Sequence, residues 1–185
     1  MSGNERRQDG SLIPGDALFV QQISGINQPL NEMCPFVYEH AYSPHLASRL
    51  EGNPVNMEDV KKGFHAVSQS YDYVTLEGSG GILCPLCFDE ENIQLEDVIR
   101  ELHLSSLIVA DAGLGTINAT VLTIEYMRAR GFKIEGIILN RFVEADEMHQ
   151  DNLAMIEKLG SVDVVATVAE GGTLKVRKPF FVLEV

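Results

Sequence analysis

Two short stretches of the sequence place a polar side chain directly before glycines, a combination that suits binding of a metal ion, a phosphate or a carboxylate. The first is Glu77-Gly-Ser-Gly-Gly81, which follows the mostly apolar run 74–76. Aromatic and β-branched residues predict a short strand over Tyr73–Glu77, and the glycines let the backbone approach another group closely. Ligands of α/β folds bind at the carboxyl ends of strands, so Glu77 is a candidate ligand-binding carboxylate. A solvated glutamate in a tight turn is an equally good interpretation of this local sequence.

The second stretch is Asp111-Ala-Gly-Leu-Gly-Thr-Ile-Asn118, whose glycines stand before a predicted helix. A helix start presents free N–H groups and the positive end of the helix dipole, which together favour an anion. The pattern departs from the dinucleotide-binding G-x-G-x-x-G at Asn118, and the next predicted strand ends in Asn140 rather than an acid. An amide suits the edge of a base better than a ribose diol. These differences disfavour an NAD-type oxidoreductase, while asparagines that only cap turns stay open as an alternative.

Alternating strands and helices are predicted to position these turns. The predicted strands are Tyr73–Glu77, Ser106–Asp111, Ile134–Asn140 and Val162–Val168, and the predicted helices between them are Asn92–Leu102, Thr116–Gly131 and Asp146–Gly160. Earlier helices are predicted over Ser43–Gly52, over Met57–Ser70 and from Asp16, which we expect to act as a cap. Strands rich in Val and Ile that alternate with helices predict a doubly wound α/β fold, with a mainly parallel sheet and helices on both faces. The carboxyl ends of the four strands are then expected to form one rim.

The overall composition excludes several classes of protein. With 45% hydrophobic and 22% charged residues the chain is of ordinary globular composition, and its length suits a single domain, 1–185. A net charge of −13 disfavours nucleic-acid binding, because an acidic surface repels phosphate backbones. No apolar stretch approaches the roughly 20 residues of a membrane-spanning helix, and the polar start predicts no signal peptide. We therefore expect a cytoplasmic protein.

The three cysteines fit a reducing compartment, and two of them form Cys84-Pro-Leu-Cys87. One C-x-x-C pair is weak evidence for zinc, and a redox pair would stand at the start of a helix. Pro85 and the acidic residues 89–91 indicate a loop instead. We interpret these cysteines as inert thiols.

Several motifs together point to one family. They are Gly15-Asp-Ala17, Ser43-Pro-His45 with Glu51-Gly52, Glu77-Gly-Ser-Gly-Gly81 with Pro85-Leu86, Gly113-Leu-Gly-Thr-Ile-Asn118, and Gly136-Ile-Ile-Leu-Asn140. As an ordered set they resemble the dethiobiotin synthetase family of the P-loop class, and the match becomes looser after Asn140. The resemblance implies a cyclo-ligase of biotin biosynthesis. In this reaction one amine of 7,8-diaminononanoate captures CO2 as a carbamate, ATP phosphorylates the carbamate, and the second amine closes the ring.

The resemblance also implies cofactors and site residues. Asp16 and Glu77 are similar to the family's Mg2+ and nucleotide-binding carboxylates, and Asn140 is similar to its adenine-reading residue. The residues similar to substrate-binding positions are Ser2, Gly80, Gly115, Thr116, Ile117 and Asn118. Of these, the helix start is expected to receive the substrate's carboxylate across the interface of a homodimer. The expected co-substrate is ATP, and no catalytic residue is identified.

One motif of the family does not occur in the 185 residues. The phosphate loop G-x-x-x-x-G-K-[ST] binds phosphates through its backbone and its lysine, whereas here no lysine follows a glycine. The segment Met1-Ser2-Gly3 resembles the family just after its second strand. We therefore expect the N-terminal strand, phosphate loop and helix to be missing, and the 185 residues alone to be inactive. The alternative is a catalytically dead nucleotide-binding or interaction protein on the same fold.

Overall fold

A computed structural model describes residues 4–89 and 91–179, which form two compact units, one within residues 1–103 and one within 104–185. The first unit begins with the antiparallel strands β1 (Glu5–Arg6) and β2 (Leu12–Ile13), followed by the helices α1 (Gly15–Ser24), α2 (Leu30–Met33), α3 (Pro44–Glu51) and α4 (Met57–Ser68). It ends with the antiparallel strands β3 (Pro85–Phe88) and β4 (Asn92–Gln94) and with helix α5 (Leu95–Glu101). The expectation that residues 1–185 form a single domain remains a prediction.

The second unit consists of β5 (Ser106–Asp111), α6 (Thr116–Ala129), β6 (Ile134–Asn140), α7 (Glu147–Gly160), β7 (Val164–Val168) and β8 (Leu174–Val176). Its sheet has the order β5-β6-β7-β8, in which the first three strands are parallel and β8 is antiparallel to β7. The two helices contact each other and lie between successive parallel strands in the chain. The predicted α/β class with a mainly parallel sheet is confirmed.

The register of the parallel strands brings their carboxyl ends to one edge of the sheet. Asp111 pairs with Asn140, and Asn140 pairs with Val168. Three of the four strand ends predicted to share a rim therefore do so. The fourth prediction is wrong, because Tyr73–Glu77 forms no strand. A strand needs a neighbour to complete its hydrogen-bonded ladder, and this segment pairs with no other described strand.

The hairpin of the first unit corrects two further predictions. Cys87 lies in β3 rather than in a loop, and it is opposite Ile93 of β4, a residue that we assigned to a helix. Both side chains are buried, with 1% and 3% exposed, so packing between them holds the two strands together. The acidic residues nearby in the sequence had indicated a loop instead. Helix α5 begins after Gln94, where Gln94 and Asp97 form a reciprocal capping box.

Helix ends agree with the sequence in most places. Asp146 caps α7 by accepting hydrogen bonds from the N–H groups of Met148 and His149, and α6 ends before Gly131, which has a φ of 75°. Asp16 does not cap α1, contrary to the prediction. Pro14 occupies the capping position, and Asp16 lies in the first turn, where its charge favours the helix dipole.

Each unit has its own apolar core. The core of the first unit is Phe36, Tyr38, Ala47, Val55, Leu86, Cys87, Ile93 and Val98. The core of the second unit is Ala112, Ile124, Ile137, Leu139, Phe142, Leu153, Ile156 and Val164. Across the described ranges, none of the helices is both long enough and apolar enough to cross a membrane.

The last residue of α3, Glu51, binds the segment before the helix. Its carboxylate accepts hydrogen bonds from the backbone N–H groups of Glu39 at 3.2 Å and His40 at 3.0 Å, and it lies 2.9 Å from His40 Nδ1. Partial burial opposes ionisation of Glu51, but the hydrogen bonds from His40 and Glu39 outweigh it and lower the pKa of the carboxyl. The ionised carboxylate therefore stabilises the fold.

We expect Glu51→Gln to lower the free energy of unfolding at neutral pH by about 1–2 kcal/mol, since charge-assisted bonds at a partly exposed site are lost. Because the folded-state pKa is lowered, the contribution is fully present above the ordinary value of 4.5 and is lost as the pH falls through the folded-state value. Urea unfolding of both proteins from pH 7 to pH 3 measures this.

The matched control is Glu144→Gln, because Glu144 lies in a turn and, among the described residues, its side chain pairs only with the exposed Lys175, at 3.0 Å. We expect this change to have almost no effect on stability. A difference between Glu51→Gln and the wild type that stays constant down to pH 3 would contradict the role of the Glu51 charge.

Candidate functional site

The turn after β5 is fixed by its own side chain and by the neighbouring strand. Asp111 Oδ1 accepts a hydrogen bond from the Gly113 N–H at 2.7 Å, and the Ala112 N–H donates to Asn140 O at 2.9 Å. Gly115 then adopts a φ of 92°, a conformation that glycine reaches without strain, and α6 begins at the next residue. The polar end of β5 is thereby joined directly to a helix start.

The start of α6 offers donors to a ligand. Thr116, which we expected to present a free N–H group, donates to Gly113 O at 3.3 Å, so the prediction is wrong for this residue. The N–H groups of Ile117 and Asn118 donate to no carbonyl of the described residues. The hydroxyls of Thr116 and Thr120 are 3.2 Å apart and both residues are buried, which closes the inner side of this turn. The N–H groups of Ile117 and Asn118, which have no carbonyl partner among the described residues, are of the kind that hydrogen-bonds anions at helix starts.

Asn152 of α7 was not predicted from the sequence, yet it binds the turn that opens α6. Its side chain is buried, and Nδ2 donates to Ala112 O at 2.8 Å and to Gly113 O at 3.2 Å. The neighbouring residue Leu153 and Ile156, one turn further on, are also buried. The signal in the sequence is thus an amide on the otherwise apolar face of an amphipathic helix.

The turn after β6 is linked to the turn after β5. Asn140 is exposed and its Oδ1 accepts a hydrogen bond from the Arg141 N–H at 2.9 Å. The Arg141 guanidinium forms an ion pair with Asp111. The hydrogen bond from the Gly113 N–H holds the pKa of Asp111 below its usual value, with Arg141 adding to this effect against partial burial. Asp111 is therefore ionised at neutral pH and connects the two turns.

The predicted metal carboxylates lie in the first unit. Asp16 and Glu77 are both exposed, and the side chain of neither forms a hydrogen bond or an ion pair with another residue of the described ranges. No group of three or more metal-ligating side chains occurs within those ranges. Glu77 precedes the glycine turn but does not end a strand. Ser2 lies outside the described residues.

The glycine turn 78–81 approaches the chain's own side chains. A Cβ added at Gly78 would lie 2.3 Å from Leu95 Cδ2, and one added at Gly80 would lie 2.9 Å from Cys84 Sγ. Gly80 also has a φ of 98°. Burial raises the pKa of the Cys84 thiol, which disfavours the reactive thiolate. Gly80 is therefore favoured by both its backbone conformation and local packing, whereas at Gly78 the end of the Leu95 side chain would have to move.

Comparison with known proteins decides the family. A family described as AAA domain matches residues 7–175. The ATP-dependent dethiobiotin synthetase BioD of Brachyspira hyodysenteriae is 49% identical over 161 residues, which cover 86% of this chain and 73% of that protein. The chain belongs to the dethiobiotin synthetase family. The resemblance based on its motifs is confirmed, and the NAD-type oxidoreductase is set aside.

Further members of the dethiobiotin synthetase family show similar matches. The ATP-dependent dethiobiotin synthetase BioD of Clostridium novyi is 48% identical over 85% of this chain and 66% of that protein. The one of Clostridium perfringens (strain 13 / Type A) is 44% identical over 91% of this chain and 73% of that protein. The chain thus spans about two thirds to three quarters of the length of these dethiobiotin synthetases.

Proposed function

We propose that the chain is a dethiobiotin synthetase, which closes the ring of 7,8-diaminononanoate with CO2 at the expense of ATP in biotin biosynthesis. The observation that carries the proposal is the 49% identity with the Brachyspira enzyme over 86% of the chain. The three cysteines, all within the described residues, form no disulfide bond, which is compatible with the cytoplasm as the compartment. A homodimer is part of the proposal.

For the nucleotide, we propose that Asn140 reads the edge of adenine. Its amide is exposed at the carboxyl end of β6, the edge at which α/β folds bind ligands. The hydrogen bond from the Arg141 N–H orients the amide, leaving both Nδ2 hydrogens and a second lone pair of Oδ1 for a base. A carboxylate at this position would lack the donors.

For the metal, we propose that Asp16 and Glu77 hold Mg2+ together with phosphate oxygens. Their carboxylates are exposed and engaged by no other described residue, and Mg2+ prefers such oxygens with phosphates to a complete protein cage. When bound, the ion would neutralise charge on the phosphates during phosphoryl transfer. The residues present therefore fit the ion by their chemistry.

For the diamino acid, we propose that the start of α6 binds the carboxylate. The residues are Gly115, Thr116, Ile117 and Asn118. The support is the pair of N–H groups, at Ile117 and Asn118, that have no carbonyl partner among the described residues. The proposal also includes Gly80 in the glycine turn of the first unit and Ser2. In the dimer, the α6 start of one protomer would serve the site of its partner.

The proposed function is tested by formation of dethiobiotin from ATP, bicarbonate and diaminononanoate. The assay uses the 185-residue chain alone and the same chain fused behind a phosphate-loop segment taken from the Brachyspira relative. We expect turnover by the fusion and none by the chain alone, because the 185 residues contain no lysine after a glycine.

Each outcome of this assay separates the candidates. A fusion that binds ATP but forms no product would favour the nucleotide-binding or interaction protein. Turnover by the unfused chain would overturn the expected need for an added phosphate loop but support the enzyme.

A further inference from the structure

Asn152 reaches the start of α6 from another helix. Its side chain is buried, with 6% exposed, and its Nδ2 donates to two successive carbonyl oxygens, those of Ala112 and Gly113. The reverse orientation of the amide would set Oδ1 against both carbonyls, so the hydrogen-bond network assigns Nδ2 to this side. The contact joins residues that are 40 positions apart in the chain.

The backbone of Gly113 is held at both its N–H group and its carbonyl oxygen. Asp111 accepts from its N–H group at 2.7 Å, and Asn152 donates to its carbonyl at 3.2 Å. The same carbonyl accepts from the Thr116 N–H, the first of α6. The direction in which the following N–H groups of Ile117 and Asn118 point therefore depends on the position of the Gly113 backbone.

We propose that Asn152 is a positioning residue for the substrate. Its amide fixes the turn so that the N–H groups at the start of α6 face the substrate's carboxylate, which Asn152 itself does not touch. This inference rests on the proposed function, in which that carboxylate binds there. Hydrogen bonds to a charged carboxylate contribute strongly to binding and weaken steeply when their geometry is lost, so a displaced turn should lower the affinity for the carboxylate.

The experiment measures binding of 7,8-diaminononanoate and of octane-2,3-diamine, the same diamine without its carboxylate, by calorimetric titration of the 185-residue chain. We expect Asn152→Ala to weaken binding of the diamino acid about tenfold or more and to leave binding of the diamine unchanged. The matched control is Gln150→Ala, because Gln150 donates the same kind of amide hydrogen bond from α7 to Glu144 O, at 2.8 Å. This control should change neither affinity.

A second variant, Asn152→Asp, keeps the shape of the side chain. Its carboxylate cannot donate to the two carbonyls, but its protonated form donates one hydrogen bond, and burial beside carbonyls raises the pKa of such a group. We expect the affinity of this variant for the diamino acid, relative to the wild type at the same pH, to recover partly as the pH is lowered. Asn152→Ala should show no recovery.

Hydrogen exchange of the Gly113 and Thr116 amides supplies a readout without ligand. We expect faster exchange in Asn152→Ala and not in Gln150→Ala. The positioning role would be overturned if Asn152→Ala weakened binding of both ligands equally, or if it left both the exchange rates and the affinities unchanged. If the wild-type chain binds neither ligand, the proposed binding of the carboxylate at the start of α6 fails, whereas the proposed function is decided by turnover of the fusion, and the exchange rates alone then decide whether Asn152 holds the turn.

Discussion

Glu77→Gln is expected to lower Mg2+-dependent formation of dethiobiotin by the chain fused to a phosphate-loop segment by about 100-fold or more. Glutamine keeps the size of the side chain but removes the charge that attracts a divalent cation. Loss of a residue that only supports a metal ligand costs about 10–100-fold, so loss of a ligand is expected to cost about 100-fold or more. Rates measured over a range of Mg2+ concentrations test this, and the concentration needed for half-maximal rate should rise.

The matched control is Asp72→Asn, which removes one exposed negative charge from the same irregular segment. It should leave both the rate and the Mg2+ dependence unchanged. Since the Glu77 side chain forms no hydrogen bond or ion pair with another described residue, its replacement should also leave the unfolding midpoint unchanged. An unaltered Mg2+ dependence in Glu77→Gln would remove Glu77 from the metal site.

The second unit follows its sequence closely because its local signals agree. Ser106–Asp111 and Ile134–Asn140 are strands with the predicted bounds, since each is a Val- and Ile-rich run that ends in a polar residue before a turn. Helices of about four turns join the successive strands, and strands that are connected through such a helix pair in parallel. The meeting of Asp111 and Asn140 at one edge then follows from the topology.

The first unit shows where such signals are insufficient. Tyr73–Glu77 has the composition of a strand but pairs with no described neighbour, and a sequence pattern does not identify a pairing partner. Asn92–Gln94 begins a helical pattern but is held in β4 by the contact of Ile93 with Cys87. In both segments tertiary contacts decide over local preference.

The sequence indicates the polar residues of the candidate site that stand at strand ends, and it does not indicate the residues that hold these turns from elsewhere in the unit. Asn140 and the start of α6 are recognisable from their place after a strand and before a helix. Asn152 and Arg141 act on these turns through a buried amide and an ion pair. The partner of Asn152 lies 40 residues away in the chain and that of Arg141 lies 30 residues away. The spacing of residues in the sequence does not indicate contacts over such distances.

Gly136→Ala is expected to destabilise the second unit, although alanine suits a strand better than glycine does. Gly136 is buried in β6, and an added Cβ would lie 2.5 Å from Val165 Cγ1 and 2.9 Å from Val165 Cγ2 on the neighbouring strand. Carbon atoms pack at about 3.5–4.0 Å, so one of the two strands must shift. The backbone of β6 is paired on both sides, and valine has little rotamer freedom, so neither side yields easily. We expect a loss of about 1–3 kcal/mol.

The control and the double mutant separate this clash from a general effect of the substitution. Gly63→Ala in α4 adds a Cβ that meets nothing within 4 Å, and it should stabilise the protein by about 0.5–1 kcal/mol because helix formation costs alanine less entropy. Val165→Ala removes both methyl groups that the Cβ added by Gly136→Ala would meet. In urea unfolding, the double variant Gly136→Ala/Val165→Ala should therefore be more stable than the sum of the single changes implies, by a coupling energy of about 0.5–3 kcal/mol. Additive single effects would show that Gly136 is required for a reason other than its contact with Val165.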